Sequence, residues 1–274
     1  FQPDWVWIKA RNYGDSHRIY DVVRGAANHI SSNANVAESS SYPLTSFDSD
    51  GFTIGSSDGS VNGSYNYVAW NWKANGAPSS NSNGDLTSSV SVNTTTGISI
   101  GTYTSDITGV GSKTVGHGLG KTPKLIITKN RDQAGQRWGV QAPGILTADH
   151  ILELNTTASQ TNMSGNGSLS TVSSTVFSVN YADGVGNATG SGNYIFYAFA
   201  EIQGFSSIGS YVGNSSTWGK FIHTGFRPAL VMAKRYDSGS EDWNVFDNTR
   251  IGYNVSGNDK LYWNLSSSES TSGD

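Results

Sequence analysis

One stretch of this chain is written three times. Phe1-Gln-Pro-Asp-Trp-Val-Trp-Ile-Lys-Ala-Arg11 returns as Lys121-Thr-Pro-Lys-Leu-Ile-Ile-Thr-Lys-Asn-Arg131, and again as Phe226-Arg-Pro-Ala-Leu-Val-Met-Ala-Lys-Arg235. Each copy is a proline, an apolar run rich in β-branched and aromatic residues, and a basic stop. The prolines Pro3, Pro123 and Pro228 stand 120 and 105 residues apart. Such a period exceeds the 20–50 residues of a solenoid unit and matches a small domain instead. The chain therefore reads as similar units in tandem. An active site needs one distinctive copy, whereas a repeated surface does not.

The second unit can be followed from end to end. Gly101-Thr-Tyr-Thr, Lys113-Thr-Val, Lys124–Lys129, Trp138-Gly-Val, His150–Asn155, Val176–Val179 and Tyr194–Glu201 are short β-favouring runs between Gly, Asn and Ser. No segment keeps a helical period. The spacing predicts an all-β chain of tandem antiparallel β-sandwich units, jelly-roll or lectin-like, with about two and a half repeats. The boundaries expected are an incomplete repeat over 1–76, a Ser/Asn/Gly-rich linker over 77–100, a complete repeat over 101–208 and an incomplete repeat over 209–274. The third unit lacks counterparts of the Phe177 and Tyr194 strands, so the chain is expected to be a window on a longer polypeptide. The missing strands would come from exchange between units, a closed pseudo-symmetric assembly, or other chains.

Composition narrows the function. Charged residues are 14% of the chain and the net charge is −4, so no basic field favours nucleic acid. Aromatic residues at 11% argue for a folded core rather than disorder. Cysteine is absent, which removes disulfides and thiolate metal sites. No apolar run approaches the roughly 18 residues that would suggest membrane insertion. No cofactor is expected.

Catalytic patterns are missing from the residues. The five glutamates, Glu38, Glu153, Glu201, Glu241 and Glu269, have no second carboxylate two positions away, the spacing two glycosidase acids would need on one strand. No two of the five histidines have helical zinc spacing. Asp48-Ser-Asp50-Gly51 resembles part of a calcium loop but lacks its later oxygens, and reads as a polar turn. Asp21 with Arg24 and Asp247 with Arg250 read as turn-locking ion pairs, replaced in the second unit by Ala142 and Ile145. Asn33, Asn155 and Asn264 recur after the next strand, where an Asn can bond its own backbone.

The tryptophans and the basic stops have two readings. Trp138 and Trp243 lie beside strands, where core filling competes with a stacking platform for sugar rings, and Trp218 lies in an exposed, loop-like stretch. Lys129 and Arg131, like Lys9 and Arg11, could form a basic rim or simply end a strand. The candidate ligand contacts are Trp218, Trp138, Trp243, Lys129 and Arg131.

The run at residues 1–11, Ser49-Asp-Gly-Phe-Thr-Ile-Gly55, Tyr67-Val-Ala-Trp-Asn-Trp-Lys-Ala74 and Val115-Gly-His-Gly-Leu-Gly120 together resemble an uncharacterised family of repeat domains common in marine bacteriophage structural and tail-fibre-like proteins. The resemblance covers essentially the whole chain and implies lectin-like β-sandwich units at a virion surface or otherwise extracellular. It carries no catalytic residues to transfer. The expectation is a non-enzymatic tail-fibre or capsid-decorating protein that self-associates or joins other virion proteins and attaches to a host-surface glycan. The alternatives are a secreted bacterial carbohydrate-binding module or adhesin, and a polysaccharide lyase or hydrolase.

Overall fold

The structure, a computed structural model, describes residues 1–41, 43–55, 58–181, 192–251 and 259–270. The chain is all-β, and helix among these residues is confined to single turns. The first unit holds β1 (Trp5–Ala10), β2 (Arg18–Asp21), β3 (Leu44–Asp48), β4 (Gly51–Ile54) and β5 (Tyr67–Trp72). The middle of the chain holds β6 (Ser79–Asn81), β7 (Ser88–Asn93), β8 (Ile98–Ser105), β9 (Ser112–Gly116) and β10 (Leu125–Asn130). It continues with β11 (Trp138–Gln141), β12 (His150–Glu153), β13 (Thr161–Asn162), β14 (Val176–Asn180) and β15 (Gly192–Phe199). The third unit adds β16 (Leu230–Ala233), β17 (Asn244–Asp247) and β18 (Leu261–Tyr262).

Every strand pair within these sheets is antiparallel. The three copies of the repeated run form β1, β10 and β16, each beginning two residues after its proline. Proline donates no hydrogen bond, so it fits just ahead of a strand, and the ladder begins with the next amide. Asp4 N donates to Trp72 O at 2.8 Å, and Lys124 N to Phe199 O at 2.7 Å. The sheets run β2-β1-β5, β13-β12-β11-β10-β15-β8-β7-β6 and β16-β17-β18.

Side-chain alternation gives the first two of these sheets two buried faces. Trp5, Trp7, Ile19 and Trp70 face one core, while Val6, Ile8 and Tyr20 face a second that the β3–β4 hairpin covers through Leu44, Phe47 and Phe52. In the large sheet, Ile100, Ile127, Ile195 and Tyr197 face the first core. Tyr103, Ile126, Tyr194 and Phe196 face a third, closed by Val115 of β9 and Phe177 of β14. Gly101 lies opposite Phe196, and a Cβ there would collide with that ring, so the glycine lets the aromatic cover the ladder.

The first core revises the domain picture. It joins Trp5 and Trp7 to Trp138 and Val140, and to Trp243, Val245, Leu261 and Trp263. Trp7 stacks on Trp263 with ring centroids 4.1 Å apart, and Trp5 on Tyr197 at 4.5 Å. The three sheets therefore share one interior, and independently layered modules are not what forms. A three-stranded sheet with both faces to bury cannot supply a sufficient core alone, and pooling the inner faces removes that deficit. Residues 77–100 are likewise no linker. They form β6 and β7 and lead into β8, which starts at Ile98, so the boundary expected at 100/101 falls inside a strand. Ser, Asn and Thr suit an edge whose outer face is solvated, which made this stretch resemble a loop.

Candidate functional site

Buried hydrogen bonds and ion pairs tie the sheets together at their joints, and the joints are built alike. Asn33 Oδ1 accepts from the amide of His17 at 2.9 Å, Asn155 Oδ1 from that of Trp138 at 3.0 Å, and Asn264 Oδ1 from that of Trp243 at 2.9 Å. These asparagines thus tie one strand start to the next strand's exit, rather than bonding their own turns. The ring at each tied position reaches into the neighbouring unit. Trp138 Nε1 donates to Ser31 O at 3.0 Å, Trp243 Nε1 donates to Glu153 O at 3.0 Å, and His17 Nε2 lies 2.9 Å from Tyr262 O. Ser31, Glu153 and Tyr262 each stand two residues before one of the three asparagines. The second unit grips the first, the third grips the second, and the first grips the third, so the contacts close a ring.

His17 completes this ring only as a neutral imidazole. Its Nδ1 accepts from Trp7 Nε1 at 2.8 Å, so Nε2 must carry the proton that Tyr262 O receives. Complete burial, with Lys9 nearby, lowers its pKa to about 3.

Two of the three joints are ionic. At the first, Arg131 Nε and Nη2 donate to Glu38 at 3.0 and 2.7 Å, Glu38 also accepts from Arg24 at 3.0 Å, and Arg24 Nε donates to Asp21 at 2.6 Å. Tyr197 of β15 donates its hydroxyl to Asp21 at 2.7 Å. At the second joint, Arg11 donates to Glu269, Glu269 accepts from Arg250, and Arg250 Nε donates to Asp247 at 2.6 Å. Here Trp70 of β5 donates its Nε1 to Asp247 at 3.0 Å. The backbone agrees, with Glu38 N donating to Arg131 O at 2.8 Å and Glu269 N to Arg11 O at 2.7 Å.

The third joint keeps the backbone bond and lacks the ion pairs of the other two. Gln160 N donates to Tyr236 O at 2.9 Å. Gln160 follows Asn155 by five positions, as Glu38 follows Asn33 and Glu269 follows Asn264. Counted from the prolines, Tyr236 occupies the place of Arg11 and Arg131, so Arg235 is not their counterpart. Ala142 and Ile145 replace the remaining aspartate and arginine. Four charged positions are neutral together at this one joint.

The lysines of the repeat do not form a basic rim. Lys9 and Lys129 are completely buried. Lys9 Nζ donates to Ala10 O at 2.7 Å and Tyr13 O at 3.2 Å, and Lys129 Nζ to Asn130 O and Gln136 O, both at 3.0 Å. Each ammonium ties down the loop that follows its own strand. Burial lowers both pKa values to about 8, with Asp15 partly offsetting the shift at Lys9. Lys234 Nζ likewise donates to the loop after its own strand, to Glu241 O at 2.7 Å, and unlike the other two it also reaches the second unit, at Thr157 O, 3.0 Å away.

Among the expected ligand contacts, Trp138, Trp243 and Lys129 are interior and cannot meet a ligand. Arg131 is half-buried and engaged with Glu38, although one side of it lines a shallow polar cleft of about 260 Å³ with Ser80, Ser89, Thr102, Thr104 and Asn193. Trp218 is different. It is 88% exposed while the other seven tryptophans are buried or half-buried, and Phe221 nearby is 86% exposed. Pro3 and Pro123 are buried and Pro228 half-buried at the strand entries. Asp48 accepts from Thr53 within the β3–β4 hairpin. Among the described residues no cluster of three His, Asp or Glu has metal-binding proximity. No helix among them is long and apolar enough to cross a membrane.

The joint network was largely hidden from sequence reasoning. Glu38, Glu269, His17 and Tyr197 gave no separate signal, and the constant offset from the paired asparagines would have revealed only Glu38 and Glu269. A family model described as Domain of unknown function (DUF7483) matches residues 1–274. No curated protein and no solved structure matches the chain.

Proposed function

The chain belongs to the DUF7483 family, and on that premise we propose that it is a non-enzymatic structural protein of a virion surface, a tail-fibre or capsid-decorating component. In this reading the ring is a rigid platform for assembly, and an exposed aromatic segment attaches to a host-surface glycan. The observation that carries it is the isolation of Trp218 and Phe221 from the aromatic interior. Rigid aromatic faces give sugar rings contact area at low entropic cost, and a site of this kind needs no charge. Buried ionic groups at the joints lock units together, which suits a load-bearing role rather than turnover. Weak sites of this sort gain avidity when many copies share one particle, because linkage raises effective concentration to about the millimolar range.

A glycan array and a host-adsorption assay test the reading with wild type, Trp218→Ala and Phe221→Ala. Binding by wild type and its loss, by tenfold or more, in both variants is the supporting result. Absence of binding by the wild-type assembly removes the attachment role. The same aromatic pair would serve a secreted carbohydrate-binding module, and mass spectrometry of purified particles separates the two by the presence or absence of the chain.

A further inference from the structure

One stretch of the large sheet is an addition to the repeat. The third unit opens with Gly209-Ser-Tyr-Val, which matches Gly101-Thr-Tyr-Thr of β8, and only residues 200–208 separate it from β15. Nothing in that segment corresponds to β6 and β7, which precede β8 and widen its sheet by two strands. An insertion in one copy of a repeat often supplies its binding face. The added strands complete the shallow polar cleft of about 260 Å³ that Arg131 lines from the opposite end.

Strand register arranges the lining in two rows. Ser80 of β6 pairs with Ser89 of β7, and Ser89 pairs with Thr102 of β8. Two residues further on, Thr104 pairs with Asn193 of β15, and the Arg131 amide donates to Asn193 O at 2.8 Å. Neighbours within a row are about 4.8 Å apart, and the rows are roughly 7 Å apart. The second row is clamped. Asn193 Oδ1 accepts from Thr104 at 2.8 Å and its Nδ2 donates to Asp132 at 3.1 Å, while Arg131 forks onto Glu38 through Nε and Nη2. The hydroxyls of Ser80, Ser89 and Thr102, and Nη1 of Arg131, have no hydrogen-bond partner among the described residues.

We propose that this cleft binds a neutral sugar chain laid across β6, β7, β8 and β15. Free hydroxyls both donate and accept, as those of a sugar do, and Arg131 Nη1 adds a donor at one end. One strand spacing is close to the length of a pyranose in an extended chain, so successive sugars meet successive strands. Charge selects against acidic sugars. The Arg131 guanidinium is matched by Glu38 and that of Arg24 by Asp21. Asp132, which has no ion-pair partner among the described residues, leaves an excess negative charge beside Asn193. No lining side chain has to give up a protein partner on binding, and the clamped row limits the ordering cost. The cleft belongs to the second unit, so this inference does not rest on Trp218 or Phe221.

Nuclear magnetic resonance titration of the full chain tests it. The probes are β-linked tetrasaccharides of glucose, galactose and mannose, with a glucuronate tetrasaccharide as the anionic control. At least one neutral chain is expected to shift the amides of Ser89, Thr102, Thr104 and Asn193 at millimolar concentration, and the glucuronate chain is not. Ser89→Ala and Thr102→Val should each weaken that binding about fivefold, the loss of one hydrogen bond, with the unfolding midpoint unchanged. Absence of shifts with every neutral chain overturns the proposal. So does glucuronate binding at the same amides, or an affinity that neither substitution alters. Shifts confined to residues 216–222 overturn it while supporting the aromatic segment, so the two readings fail separately. If the same amides respond to protein concentration without sugar, the occupant is a second copy and the proposal falls.

Discussion

Arg131 places Nε and Nη2 on the two oxygens of Glu38, a residue 93 positions earlier in the chain, at 3.0 and 2.7 Å. The fork also brings the strand end of β10 against the loop between β2 and β3 of the first unit, where Glu38 is held by Arg24 as well. One carboxylate thereby bridges two guanidinium groups from different units. Burial opposes the charge on Glu38, and the hydrogen bonds and charges of Arg131 and Arg24 overcome it, so its pKa is lowered.

Removing that charge should cost far more than removing an exposed ion pair. Glu38→Gln is expected to destabilise the chain by about 3 kcal/mol, and Glu269→Gln by a similar amount, since each takes the carboxylate that bridges two arginines, leaving Arg24 and Arg250 with Asp21 and Asp247 alone and Arg131 and Arg11 without that partner. Loss of the exposed Arg235–Asp237 pair should cost under about 0.5 kcal/mol. Urea unfolding of the three variants checks the contrast, and equal losses would contradict the joint picture.

The third joint can be charged only in pairs. Ala142→Asp alone buries a carboxylate with no partner and should lower stability by about 2 kcal/mol. Adding Ile145→Arg restores the geometry of Asp21 with Arg24 and should recover at least half of that loss. A double-mutant cycle measures the coupling directly.

Trp138→Phe removes the donor to Ser31 and Ala34 and leaves a small void beneath β11. A loss of about 2–4 kcal/mol is expected from the unpaired carbonyls and the cavity together. Trp218→Ala should leave the unfolding midpoint unchanged, because its ring is exposed.

Acid should loosen the ring through His17. The native imidazole is neutral and its pKa is about 3, whereas the unfolded chain protonates near 6.5. The contribution is therefore complete above pH 6.5 and is lost as pH falls from there towards 3, at about 1.4 kcal/mol per pH unit for this one proton. His29, lowered to about 4 by burial and by Arg18 and Arg24, acts in the same direction. His17→Trp, which imitates Trp138 and Trp243, should flatten the slope between pH 6.5 and 4 while costing stability at pH 7, since Trp7 Nε1 loses its acceptor.

The buried lysines extend the same upward trend with pH into mild alkali. Lys9 and Lys129 have pKa values of about 8 against an ordinary 10.5, so between these values the unfolded chain holds more protons. Stability should rise from pH 8 to 9.5, and Lys129→Met should reduce that rise. Denaturant midpoints at fixed ionic strength resolve it.

Legibility in the sequence followed the range of the physics. Alternation within Trp5–Ile8 and within Tyr194–Phe199 is a local pattern, and it made the strands readable. Prolines before strands and glycines between them are local as well. Residues 77–100 were misread because a solvated edge strand shares its composition with a loop, and only its pairing with β8 tells them apart. Lys129 and Trp138 kept two readings for a related reason: a charge or a ring at a strand end suits either water or a buried acceptor.

The residues alone determined that this chain is all-β and that one structural phrase recurs in it, because strand formation depends on neighbours two positions away. Only the tertiary structure decided that the recurrences close on one another. Which carboxylate meets which guanidinium, which histidine must stay neutral and which joint has lost its charges all depend on groups brought together from up to 258 positions apart, as Arg11 and Glu269 are. No local periodicity encodes such a meeting, since it arises from three inner faces burying themselves in a common core.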